Sequence, residues 1–174
     1  MKHFVKIFVV TFFLIFSTYA LAEQKIVYFD LKYVLNNSSA GKDAQNQLKK
    51  MFTNNQKSFE NKEEDLKKSE NDLISKQTVV SKEDYEKLAN ELRKKVADYK
   101  KDRRKTLDKI TSLRANAKEK LLKKINPILE DYLNKNNISI IFNKTSVVAS
   151  HKDADITKTI IDQLNQELPS IKLE

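Results

Sequence analysis

Two histidines, His3 and His151, are the only imidazoles in this 174-residue chain, and cysteine is absent. Those side chains are the usual suppliers of acid–base catalysis near neutral pH, of thiolate attack and of transition-metal ligation. His151 stands alone just after a short β-branched run, where a histidine is ordinarily a surface residue. A single glycine, Gly41, leaves nothing from which to build a phosphate-cradling loop of the Walker or dinucleotide type. Carboxylates abound, but lysines stand near them at helical spacing, so solvated ion pairs are their default role. The reading is of a protein that is not an enzyme and holds no metal and no cofactor.

The chemistry that does stand out is cationic. Residues 93–105 carry Arg93, Lys94, Lys95, Lys100, Lys101, Arg103, Arg104 and Lys105 against only Asp98 and Asp102. Such a run is either a solvated helix face or a surface for an anionic partner: an acidic polypeptide, lipid phosphate or nucleic acid. The formal net charge is +9, and between Gly41 and Lys120 there are 22 basic residues against 15 acidic ones. With Lys2 and Lys6 set aside, that central stretch accounts for the whole excess.

The elements that must carry this charge follow from composition. A third of the residues are charged, with one Gly, two Pro and no Trp, so turns are few and elements long. Lys2 and Lys6 precede an apolar run, Ile7–Phe16, and Ala20-Leu21-Ala22 supplies small residues for cleavage. Residues 1–22 therefore read as a signal peptide, which implies export and places nucleic acid last among the partners. Lys25–Asp30 reads as a short strand, and Leu31–Leu35 as a turn of helix before Asn36-Asn37-Ser38-Ser39. From Gly41 to about Ile125 the pattern is helical, weakened only at Ser75–Ser81, where Thr78, Val79 and Val80 cluster. Ser81 can cap a second helix, with Glu83 and Asp84 in its first turn.

Folding this stretch about Val79 places Leu73 opposite Tyr85, Leu66 opposite Leu92 and Phe59 opposite Tyr99. Phe52 then meets Thr106 beside Leu107, and Leu48 meets Ile110. Seven-residue steps on both sides are those of an antiparallel coiled coil. The intervening layers pair Ser69 with Ala89, Lys62 with Val96 and Asn55 with Arg103, which predicts an arm held in spaced apolar layers. Arms of about 35 residues project about 50 Å at 1.5 Å per residue. Asn126-Pro127 reads as the start of a further short helix, Ile138–Phe142 and Ser146–Ser150 as a strand hairpin, and Asp155 as the cap of a last helix bearing Ile156, Ile160, Ile161 and Leu164. The expected fold is α+β: an arm over 41–118 with its tip near 75–81, projecting from a small body made of 23–40 and 119–174. So small a body is marginal alone, which points to self-association.

The order of motifs then carries a resemblance. K-I-V-Y-F-D, L-N-N-S-S-A-G-K, the Lys/Glu-rich hairpin, I-N-P-I-L-E-D-Y, I-S-I-I-F-N-K and D-A-D-I-T-K-T-I-I-D-Q-L-N together resemble the OmpH/Skp family of periplasmic chaperones. The resemblance implies a jellyfish-like homotrimer in the periplasm whose arms cage unfolded outer-membrane β-barrel proteins without ATP. It also implies contact with lipopolysaccharide or anionic lipid, for which Lys95, Arg103, Arg104 and Lys105 occupy the similar region. Two other readings are an envelope coiled-coil tethering protein, which would dimerise and ignore unfolded clients, and a peripheral protein binding anionic lipid.

Overall fold

The computed structural model describes residues 25–173, and the predicted signal peptide lies outside that range. Strand β1 (Lys25–Phe29) turns Val27 and Phe29 into the core, the alternation expected of a strand buried on one face. Asp30 ends it and caps helix α1 (Leu31–Asn37), its carboxylate accepting from the Tyr33 N–H at 2.8 Å. Ser38 then serves two helices at once. Its N–H closes α1 on the Val34 carbonyl, and its hydroxyl accepts from the Gly41 N–H, 3.2 Å away, at the start of α2 (Ser39–Lys76). Gly41 is required here, because a Cβ would lie 2.0 Å from the Leu35 carbonyl oxygen.

Helix α3 (Lys82–Lys135) begins at Ser81, whose hydroxyl accepts from the Asp84 N–H at 3.1 Å. With 38 and 54 residues, α2 and α3 run about 57 and 80 Å. They form one long antiparallel hairpin. The separate helix expected from Pro127 does not exist, since α3 continues straight through it. An internal proline costs about 3 kcal/mol through its lost hydrogen bond and ring clash. Here Ile125 and Ile128 flank it, both buried, and each contributes about 1.5–3 kcal/mol of burial that only a continuous helix delivers.

Strand β2 (Ile138–Asn143) pairs in parallel with β1, Val27 against Ile141 and Phe29 against Asn143. The expected hairpin strand Ser146–Ser150 is absent. The chain leaves β2 through a 3₁₀ turn, Lys144–Ser146, and Val148 is fully exposed. A strand needs a ladder partner and a face to bury, and this segment finds neither among the described residues. A second 3₁₀ turn, Lys152–Ala154, leads to α4 (Thr157–Glu167). Asp155 accepts from the Thr157 N–H at 2.9 Å and from its hydroxyl, and that hydroxyl in turn accepts from the Asp30 N–H at 2.9 Å. The two ends of the chain are tied at this point. Ile156, Ile160 and Leu164 are buried against Val34, Leu121 and Ile125, and Ile161 packs at their edge.

The C-terminal tail runs back along the root of the hairpin. Ile171 is buried, its N–H donates to Asp43 at 3.1 Å, and its carbonyl accepts from Gln47 at 2.6 Å. The Leu173 N–H donates to the same Gln47 at 3.2 Å. One side of the root is thereby strapped.

Candidate functional site

The arm lacks a core along most of its length. Among the described residues, α2 is buried only up to Leu48 and α3 only from Leu113 onward. Between them Phe59, Leu66 and Leu73 on α2, and Tyr85, Leu92, Val96, Tyr99 and Ile110 on α3, are half-buried and mark the seam. Phe59 meets Tyr99 edge-on, ring centroids 5.9 Å apart and planes at 83°. Phe52, expected in the same seam, is instead 51 % exposed, and Leu107 beside its partner position is 49 % exposed. Thr106 is too small to fill that layer, and a gap of about 400 Å³ opens between Phe52, Asn55, Phe59, Thr106 and Ile110.

The polar layers hold the arm by charge rather than by direct opposition. The Lys62 ammonium reaches along the arm to pair with Asp102 at 3.1 Å and lies 5.8 Å from the Phe59 ring centre. Asn55 turns back to its own helix, donating to the Met51 carbonyl at 2.7 Å. Arg103 reaches Glu63 at 3.7 Å, and the Tyr99 hydroxyl donates to the same carboxylate. That bond to Glu63, aided by desolvation, holds the Tyr99 phenol above its ordinary pKa. Solvent screens these exposed pairs, so each adds little to stability. Their effect is to set register across a thin seam. A second gap of about 350 Å³ follows, lined by Leu66, Ser69, Lys95 and Tyr99.

All eight predicted cations are exposed, but they do not act as one group. Lys95 borders the second gap and Arg103 crosses to Glu63. The other six fall into two rows with the same spacing, i, i+7 and i+11: Arg93, Lys100, Arg104 and Lys94, Lys101, Lys105. On a helix whose seam runs through Leu92, Val96 and Tyr99, the row Lys94, Lys101, Lys105 lies on the face turned away from α2, and the row Arg93, Lys100, Arg104 lies along the flank beside the seam. Arg93 also donates to Asn90 at 2.8 Å, within its own helix. Sequence reasoning missed Glu63 and Asp102, because the cross-arm pairs lie one to two turns away from direct opposition.

The body contributes a different surface. Ile26, Ile140 and Phe142, on the outer face of the two-stranded sheet, are each more than 40 % exposed, and Val148 stands beside them. An apolar face on so short a sheet is a candidate interface.

A long helical hairpin on a small parallel-stranded body, charged along the arm and apolar on the sheet, defines an arm-bearing protein. The family profile described as Outer membrane protein (OmpH-like) matches residues 25–164, and the chain belongs to that family, one of chaperones rather than enzymes. A Skp-like protein of Pseudomonas aeruginosa is 25% identical over 170 residues, covering 95% of this chain and 99% of that protein. The same fold occurs in a crystal structure from Caulobacter crescentus, described as a candidate outer membrane chaperone (OmpH-like). It superposes with a TM-score of 0.81 at 15% identity, covering 91% of this chain and 94% of that one.

Proposed function

We propose that this protein is an ATP-independent holding chaperone of the periplasm that contains unfolded outer-membrane β-barrel proteins between the arms of a homotrimer. The observation that carries this reading is the arm itself. Between Leu48 and Leu113 none of its residues is buried, so its length is not there to build a core. Sparse apolar positions such as Phe52 and Leu107, set among exposed cations, suit many weak contacts with a mobile client. The exposed face of Ile26, Ile140 and Phe142 supports self-association, which the arms need in order to enclose a cavity. The two exposed cation rows suit acidic client segments, and the same rows suit lipid phosphate or lipopolysaccharide. No described helix is long and apolar enough to cross a membrane, which suits a protein acting beside one.

The test is dilution of a urea-unfolded outer-membrane β-barrel protein into buffer, with light scattering followed at low and high salt. Suppression at about one trimer per client without ATP is the expected result, weakening at high salt as screening shortens to a few Å. Unhindered aggregation at both salts, or a dimeric mass in sedimentation, would favour a tethering protein instead.

A further inference from the structure

The two sides of the hairpin root are not alike. On one side the C-terminal tail is pinned through its backbone to Asp43 and Gln47, with Ile171 in the core. The other side is an open groove of about 880 Å³ between α2 and α3. Its floor is apolar, made by Leu48, Phe52 and Ile110, and is kept deep by the small Ala44 and Ala117. Its rim carries Lys49, Arg114 and Lys118, and no carboxylate lines it. The strapped side offers Asp43 as an acceptor for peptide N–H groups, whereas the charged side chains on the open side are donors only.

Resting on the chaperone reading above, we propose that this groove docks an extended client segment in which apolar residues alternate with acidic ones. Three features select that occupant. The cationic rim complements carboxylates and peptide carbonyls, and its lack of acids leaves basic segments unfavoured. Phe52, half out in solvent, gives an aliphatic or aromatic side chain a surface to cover. The opposite side of the same root already holds an extended stretch of chain by backbone bonds and one buried isoleucine. From Ile110 to Leu121 the groove spans about 17 Å of helix, the length of about five extended residues. A capture site here would anchor part of a client at the mouth of the body while the arms surround the rest.

The probe is a fluorescein-labelled, unstructured peptide of alternating Leu or Phe and Asp, titrated into the whole folded protein by fluorescence anisotropy. Phe52→Ser, and separately Lys49→Glu with Arg114→Glu and Lys118→Glu, should each weaken binding by about tenfold. Lys50→Glu with Lys57→Glu and Lys67→Glu makes the same charge change on exposed positions of α2 and should leave affinity within about twofold. Equal affinity for a peptide with Ser in place of Leu and Phe would overturn the proposal, since charge alone would then explain binding. So would displacement of the peptide by a submicellar single-chain phospholipid, which would make the groove an acyl site. A lower oligomeric mass in the groove variants would show instead that a second copy fills it. Aggregation suppression by the unaltered protein separates the two levels. If suppression holds while both groove variants bind the peptide normally, the groove assignment fails and the chaperone reading stands.

Discussion

The body and the arm are built on opposite terms. In the body, Val34, Ile125, Ile160 and Leu164 are almost wholly removed from solvent, and hydrogen bonds from Asp30 to Thr157 and from Ser39 to Asn165 fasten the two ends of the chain. In the arm, even the seam is half-exposed, and the cross-links are surface ion pairs at Lys62–Asp102 and Arg103–Glu63. Burial fixes a structure to within a narrow range; thin layers and solvated charges fix a register and leave the rod free to bend. The difference assigns stability to the body and contact to the arm.

The strongest way to break that division is through the core. Ile160→Ala should cost about 2–5 kcal/mol and lower the urea midpoint sharply, whereas Leu66→Ala in the seam should cost about 1 kcal/mol or less. Equal losses in the two variants would mean that the arm is as closely packed as the body. A middle-sized effect is kinetic. Reversing Lys94, Lys101 and Lys105 to Glu should slow client capture in stopped-flow fluorescence at low salt, with stability changed by no more than about 0.5 kcal/mol. Capture at an unchanged rate would take the outward row out of the binding surface.

The smallest expected effect concerns the latch at Tyr99. Its phenol pKa is raised because the neutral hydroxyl donates to Glu63. What it adds to the arm is therefore complete below the ordinary phenol value of about 10 and is lost as pH climbs through the raised one. A tyrosinate absorbance titration should show one late-titrating residue, and Glu63→Gln should return it toward the ordinary value. A late phase that persists in that variant would assign it to another tyrosine.

Legibility in the sequence followed the range of the interaction. Seven-residue steps are local, so the meeting of Phe59 with Tyr99 across the hairpin could be read by folding the chain about Val79. Ser38 and Ser81 cap helices for reasons contained within four residues. Parallel pairing of β1 with β2 joins Val27 to Ile141, and no local pattern announces it. That is why Ser146–Ser150 looked like the partner of β2. Pro127 misled for a related cause: its local preference is a helix start, and only the buried Ile125 and Ile128 show why the helix runs on. At the candidate site all eight cations could be listed in advance. That Arg103 crosses the seam while Lys94, Lys101 and Lys105 face outward required the position of Glu63. The root groove lies between α2 and α3, and no local pattern announces that the C-terminal tail straps only the other side.

On the proposed function the arm, not the body, holds the client. This claim is tested most directly by removing residues 60–73 and 85–98 together, two heptads from each helix, which keeps Phe59 opposite Tyr99 and the tip intact. The shortened protein should keep the fold, the thermal stability of the body and its oligomeric mass, yet fail to stop an unfolded outer-membrane β-barrel protein from scattering light. Full suppression by the shortened arm would contradict the claim and move the holding surface to the body.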